Sequence, residues 1–187
     1  IIHNPVEEYS IAQNVLHMLR SDNQFTELEA EVLDLILVIH AEHGGGNNST
    51  FTSHVVSSTR TDTYSSISAS IGALKGPMHG GANSMVTKMV EDIKKNTNPY
   101  DEVKLKEYLK KIFNKEVFDK KGRIYGMGHA VYTISDPRAV LLKKKAYELA
   151  KEKNALEEFE LFSNIEKLTK EIGKETKGKN FEICANV

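Results

Sequence analysis

Arg138 follows Asp136-Pro137, a pair that reads as an N-cap and first helical residue. A cation in a first helical turn opposes the helix dipole by ~0.3–1 kcal/mol, so its placement asks for a reason. Two readings stand. Arg138 could pair with Asp136 or another acid, or it could hold a carboxylate or phosphate together with the helix N-terminus. His129 lies nine residues upstream. An imidazole and a guanidinium around one anion would make a site for a carboxylate substrate. His43, His79 and His129 fall at a helix end or in glycine-rich stretches, whose backbone lets a ring approach a ligand closely. His3, His17 and His54 read as hydrogen-bonded structural residues.

Other chemistries fit less well. His40 and His43 share a helical face, but a zinc site would need a third ligand, and no H-E-x-x-H order is present. No metal is expected. Gly44 to Gly46, followed by Asn47, Asn48, Ser49 and Thr50, follows a helix and lacks the Gly-Lys-Ser/Thr ending of a phosphate loop. It reads as a C-cap beside a polar pocket. Gly126-Met127-Gly128 lacks the third glycine of a dinucleotide fingerprint. The lone Cys184 excludes an internal disulfide framework and points to a reducing compartment.

The elements that must position these groups read as helices nearly throughout. Asn4-Pro5 with Glu7 and Glu8 opens a first helix whose face carries Tyr9, Ala12, Val15, Leu16 and Leu19. Thr26-Glu27-Leu28-Glu29 is a capping box, opening a helix that Gly44 to Gly46 stop just past His43. Residues 51–75, rich in Ser, Thr, Ala and Gly, suggest closely packed buried helices broken around Thr59 to Asp62, with Ser57 to Ala73 the stretch expected to be exposed if covering helices are missing. Met85 to Ile93 mark another helix, and Asp101 caps one carrying Leu105, Tyr108, Leu109 and Ile112. Ile124 to Val131 reads as a loop, Asp136 caps a helix running to about Lys153, and Leu156 to Ile172 mark the last. With no alternating strands, the expected class is all-α. Composition shifts most sharply around Gly76 to Gly81, which sets the expected boundary between residues 1–80 and 81–187.

Across the 187 residues, 40% hydrophobic and 27% charged side chains fit a globular protein, and no apolar run approaches the ~20 residues of a bilayer span. The sequence shows no signal peptide, so a cytoplasmic location without membrane association is expected. The absence of an initiator Met suggests a processed chain or an excised fragment. The net charge of −1 hides an asymmetry, with residues 1–75 at −6 and residues 88–153 at +7. Lysine-rich helix surfaces account for most of the excess, and a phosphate-bearing small molecule fits the rest. Nucleic acid is not expected, because aromatics are 7% and do not interleave with the basic residues.

Four runs together resemble the citrate synthases. They are His40-Ala-Glu-His43-Gly-Gly-Gly-Asn-Asn-Ser-Thr50, Gly72-Ala-Leu-Lys-Gly-Pro-Met-His79-Gly-Gly-Ala-Asn83, Gly126-Met-Gly-His129-Ala-Val-Tyr132 and Asp136-Pro-Arg138. The resemblance implies an all-α fold, with residues 1–80 part of a large domain and 81–187 most of a small one, and a homodimer in the full-length enzyme. It implies condensation of acetyl-CoA, a co-substrate rather than a permanently bound cofactor, with oxaloacetate. His79 would hydrogen-bond the thioester carbonyl, and His129 would polarise the ketone and protonate the developing alkoxide. His43 and Arg138 would bind oxaloacetate, Asn47 and Ser49 would orient the histidines, and Tyr125, Gly126, Met127 and Gly128 would meet the CoA adenine. Ile183 to Val187 resembles the segment just before the family's catalytic aspartate, which would be the next residue. A chain without it is expected to be inactive. Many bacterial relatives carry Arg and Lys where this chain has Ala130 and Thr133, which leaves open how CoA phosphates are held. A 2-methylcitrate synthase using propionyl-CoA and a non-catalytic module are the alternatives.

Overall fold

The computed structural model describes residues 2–41, 46–128, 132, 134, 136–178 and 180–185. Among them are eight helices: α1 (Ile11–Leu19), α2 (Glu27–His40), α3 (Asn48–Ser58), α4 (Thr63–Lys75), α5 (Ala82–Asn96), α6 (Glu102–Phe113), α7 (Pro137–Glu152) and α8 (Leu156–Lys177). The extended backbone pairing seen among the described residues is an isolated antiparallel bridge between Met127 and Ala185. The all-α expectation holds.

The helices start where short polar side chains satisfy free amides. Thr26 accepts from the Glu29 amide while Glu29 accepts from the Thr26 amide, the expected capping box. Asp101 and Asp136 cap α6 and α7 as anticipated. The first helix is a correction. It begins at Ile11, because Ser10 and Gln13 form a capping box there. Asn14 ties the preceding chain into a turn, accepting from the Val6 amide at 2.7 Å and donating to the Val6 and Tyr9 carbonyls. Leu19, expected on the apolar face, is exposed. The α2 helix ends at His40, and its expected stop beyond His43 lies outside the described residues.

Contacts divide the chain into two compact units, one of residues 1–42 and 136–160, the other of residues 43–135 and 161–187. In the first, α1 and α7 each pack on α2. The capping Glu29 also anchors charge: Arg20 donates to both its oxygens at 2.8 and 2.9 Å, and Lys153 lies 2.9 Å away.

In the second unit, Met89, Val90 and Ile93 of α5, Leu105, Leu109 and Ile112 of α6, and Leu161, Ile165, Leu168 and Ile172 of α8 form one core, joined by Ile124 from the connecting loop. The α3–α4 pair leaves the Ser57 to Ala73 stretch largely exposed, as expected if covering helices are missing, although its helices were also expected to be buried. The break falls at 59–62 as anticipated, and the two helices pack on each other, but Ser66 is the one buried residue of their 24. Small side chains let the two backbones close up and bury little surface, so Phe51, Ile67 and Ile71 stay more than half exposed.

The Glu29 cluster makes stability pH-dependent. Hydrogen bonds from Arg20, then from Lys153 and the Thr26 amide, outweigh burial and hold this carboxyl at about 2, against an ordinary 4.5. A carboxyl depressed on folding stabilises above its unfolded value, and that contribution fades as pH falls toward the folded value. Thermal melts from pH 5 to pH 2 should show a decline in stability that Glu29→Gln flattens.

Candidate functional site

His79 sits in a turn between α4 and α5 that glycine alone permits. The His79 and Gly80 amides both donate to the Gly76 carbonyl, at 2.9 and 3.0 Å. A side chain on Gly80 would place its Cβ 2.2 Å from the Leu74 carbonyl oxygen, and one on Gly81 would lie 2.4 Å from that of Pro77. The backbone thus folds back onto the end of α4 with no room for a Cβ. His79 Nε2 lies 2.8 Å from the Ser49 hydroxyl in the first turn of α3. If that hydroxyl donates to Nε2, the neutral ring carries its proton on Nδ1 and becomes a hydrogen-bond donor with a fixed direction. The Asn47 side-chain oxygen accepts from the Thr50 amide and caps α3.

The second cluster is the glycine loop of residues 122–128. Gly126 and Gly128 adopt φ of 84° and 92°. The Met127 amide donates to the Ile124 carbonyl at 3.2 Å and the Gly128 amide to the Cys184 carbonyl at 2.8 Å. The segment after α8 reaches the loop because Gly173 leaves a gap. Phe181 fills it so closely that a Cβ on Gly173 would lie 2.2 Å from the ring. Lys177 Nζ stands over the Phe181 and Phe113 rings at 4.8 and 5.5 Å. Sequence reading missed this return, and a helical glycine eight residues before an aromatic was its faint signal.

Two pockets flank the loop. One, of about 330 Å³, is apolar and lined by Val86, Met89, Tyr125, Gly126, Phe162 and Ala185 among others. The other, of about 360 Å³, includes Arg123, Lys177, Gly126 and Phe181. Two cations beside a glycine-rich backbone, next to an apolar pocket, suit a ligand with a phosphorylated end and an apolar arm.

Arg138, in the first compact unit, resolves one alternative. Its Nη2 lies 2.7 Å and its Nε 3.1 Å from the two Asp136 oxygens, while its amide donates to the same carboxylate at 2.9 Å. The ion pair is present. The Asp136 side chain is fully buried and that of Arg138 is 15% exposed, so the guanidinium is held in one orientation. His43 and His129 lie outside the described residues. No group of three or more metal-ligating side chains occurs among the described residues, and no helix there is long and apolar enough to cross a membrane.

The family model described as citrate synthase, C-terminal domain, matches residues 1–187. Citrate synthase 2 of Bacillus subtilis is 42% identical over 147 residues, which are 78% of this chain and 36% of that protein. The chain therefore spans under half the length of such relatives. Proteins named 2-methylcitrate synthase also match. Among solved structures, citrate synthase from Thermotoga maritima superposes with a TM-score of 0.70 at 32% identity, covering 100% of this chain and 46% of that one. A citrate synthase from Thermoplasma acidophilum, in ternary complex with carboxymethyl coenzyme A and oxaloacetate, gives 0.65 at 30% identity, covering 97% of this chain and 44% of that one.

The turn that presents His79 can be tested by two glycines close in sequence. Gly72, inside α4, has open space where a Cβ would go. Gly72→Ala should therefore stabilise by about 0.4–1 kcal/mol. Gly80→Ala should destabilise by about 1–3 kcal/mol, because the carbonyl it would strike is backbone. Denaturant melts of the two variants should give opposite signs.

Proposed function

The chain is a member of the citrate synthase family, and on that premise we propose that the whole protein condenses acetyl-CoA with oxaloacetate to give citrate and free CoA. The observation that carries this reading is the Ser49–His79 hydrogen bond in a turn built for it. The methyl group of a thioester is a weak carbon acid, so the proton must leave while a donor stabilises the developing enolate oxygen. A neutral imidazole oriented by Ser49 suits that task. The base would be an aspartate that follows Val187 in the whole protein.

The new carbon–carbon bond forms when the enol carbon attacks the oxaloacetate ketone. His129 would give a proton to the alkoxide oxygen. Water then cleaves the citryl thioester, leaving citrate and the CoA thiol. Arg138, held by Asp136, would take a substrate carboxylate, and His43 would assist. The backbone of residues 125–128 would meet the adenine. Arg123 and Lys177, which line the second pocket, would serve the phosphates in place of the basic side chains absent at Ala130 and Thr133.

In that whole protein, residues 1–80 would belong to the large domain and 81–187 to the small one. The exposed apolar face of α3 and α4 supports a homodimer formed there, since small residues permit close helix approach and Phe51, Ile67 and Ile71 leave apolar surface to cover. Relatives named 2-methylcitrate synthase support a second reading, with propionyl-CoA as the acyl donor.

Thiol release by the whole protein checks both readings. Acetyl-CoA with oxaloacetate should give oxaloacetate-dependent release, and faster release with propionyl-CoA would favour the second reading. His79→Ala should lower kcat by about 10²–10⁴-fold. Arg138→Ala should weaken oxaloacetate binding by about 2–5 kcal/mol. No release with either thioester would contradict both.

A further inference from the structure

Three non-glycine residues between α6 and the glycine loop are held in costly backbone conformations. Lys115, Phe118 and Lys120 adopt φ of 66°, 58° and 56°, and Gly122, Gly126 and Gly128 follow at 71°, 84° and 92°. Left-handed conformations at non-glycine residues persist only where the surroundings over-determine them. Asp119, between two of these residues, supplies such a constraint. Its Oδ1 accepts from the Lys121 amide at 3.0 Å, and its Oδ2 accepts from the Tyr125 hydroxyl at 2.5 Å. The Phe118 ring meets the Tyr125 ring edge-on, with centroids 6.1 Å apart. One carboxylate thus joins both ends of a turn.

Burial works against the charged form of Asp119. The hydrogen bonds from Tyr125 and the Lys121 amide, with the charges of Lys121 and Arg123, prevail and hold it below the ordinary carboxylate value. The same bond pushes the Tyr125 hydroxyl up. At neutral pH the link is therefore a charge-assisted hydrogen bond. Asp119 lines neither pocket beside the loop, whereas Tyr125, Gly126 and Met127 line both.

We infer that Asp119 is a positioning residue for acyl-CoA: its carboxylate latches Tyr125 and so fixes the backbone of residues 125–128 against which the coenzyme is bound. This rests on the functional reading above. Ile124 anchors the loop in the core from one side and Cys184 pairs with Gly128 from another, and the Tyr125 hydroxyl adds a side-chain tie on residues 125 and 126 between them. A looser loop must be ordered when the coenzyme binds, which weakens binding and leaves the histidine chemistry unaffected.

Calorimetric titration of the whole protein with coenzyme A, alongside steady-state acetyl-CoA kinetics, tests this. Asp119→Ala should raise both the coenzyme A Kd and the acetyl-CoA KM by about 5- to 20-fold, with kcat within about 2-fold. Asp119→Asn, whose amide oxygen can accept from the Lys121 amide while its NH2 donates to the Tyr125 oxygen, should recover part of that loss. Tyr125→Phe should weaken binding by a similar factor, and the double variant Tyr125→Phe/Asp119→Ala should be no worse than the weaker-binding of the two single ones. If Asp119→Ala fails to fold, Tyr125→Phe and Asp119→Asn carry the comparison. Wild-type affinity in Asp119→Ala or Tyr125→Phe, losses that add in the double variant, or a loss confined to kcat would overturn the latch. A wild-type protein that binds no coenzyme A would overturn the functional reading as well.

Discussion

The loop at the centre of the candidate site depends on a backbone hydrogen bond between segments more than fifty residues apart. The Gly128 amide donates to the Cys184 carbonyl, and Met127 bridges Ala185. Isolated two-residue pairings of this kind are marginal in water. This one is sustained because Phe181 is wedged over Gly173 and capped by the Lys177 ammonium, which returns the chain after α8 to the core. A side chain at position 173 would displace the ring and with it the segment that lines the apolar pocket.

The other half of the site obeys a related constraint. Gly80 and Gly81 let the chain fold onto the α4 terminus so tightly that backbone oxygens occupy the space of a Cβ. That geometry carries His79 to Ser49, thirty residues away in sequence. At both places the chemistry-bearing residue is fixed by what glycine omits. Charge does the complementary work: Asp136 fixes the Arg138 guanidinium, and Asp119 fixes Tyr125.

Much of this was legible in the sequence because its cause is local. Thr26 with Glu29, Asp101 and Asp136 cap helices through bonds spanning two or three residues, and the glycine-rich runs marked the His79 turn and the loop before His129. The start of α1 was misread because Asn4-Pro5 mimics a helix opening, while the Ser10–Gln13 box decides it. The close approach of α3 and α4 and the exposure of the Ser57 to Ala73 stretch were legible, because small side chains let backbones close up yet bury little surface by themselves. The Phe181–Gly173 contact and the Asp119–Tyr125 bond carry no periodicity. One is set by tertiary packing and the other lies in an irregular turn, so composition alone could not reveal them. The Asp136 pairing of Arg138 was one of two open readings, and distance decided that it exists.

Amide hydrogen exchange at Gly128, followed by NMR in the wild type and in Phe181→Ala, tests the central claim that the returning segment holds the loop. The Gly128 amide should be protected in the wild type, and in Phe181→Ala it should exchange about 10-fold faster or more, while Ile93 and Leu109 in the core keep their protection. Unchanged protection of Gly128 in Phe181→Ala would contradict the account.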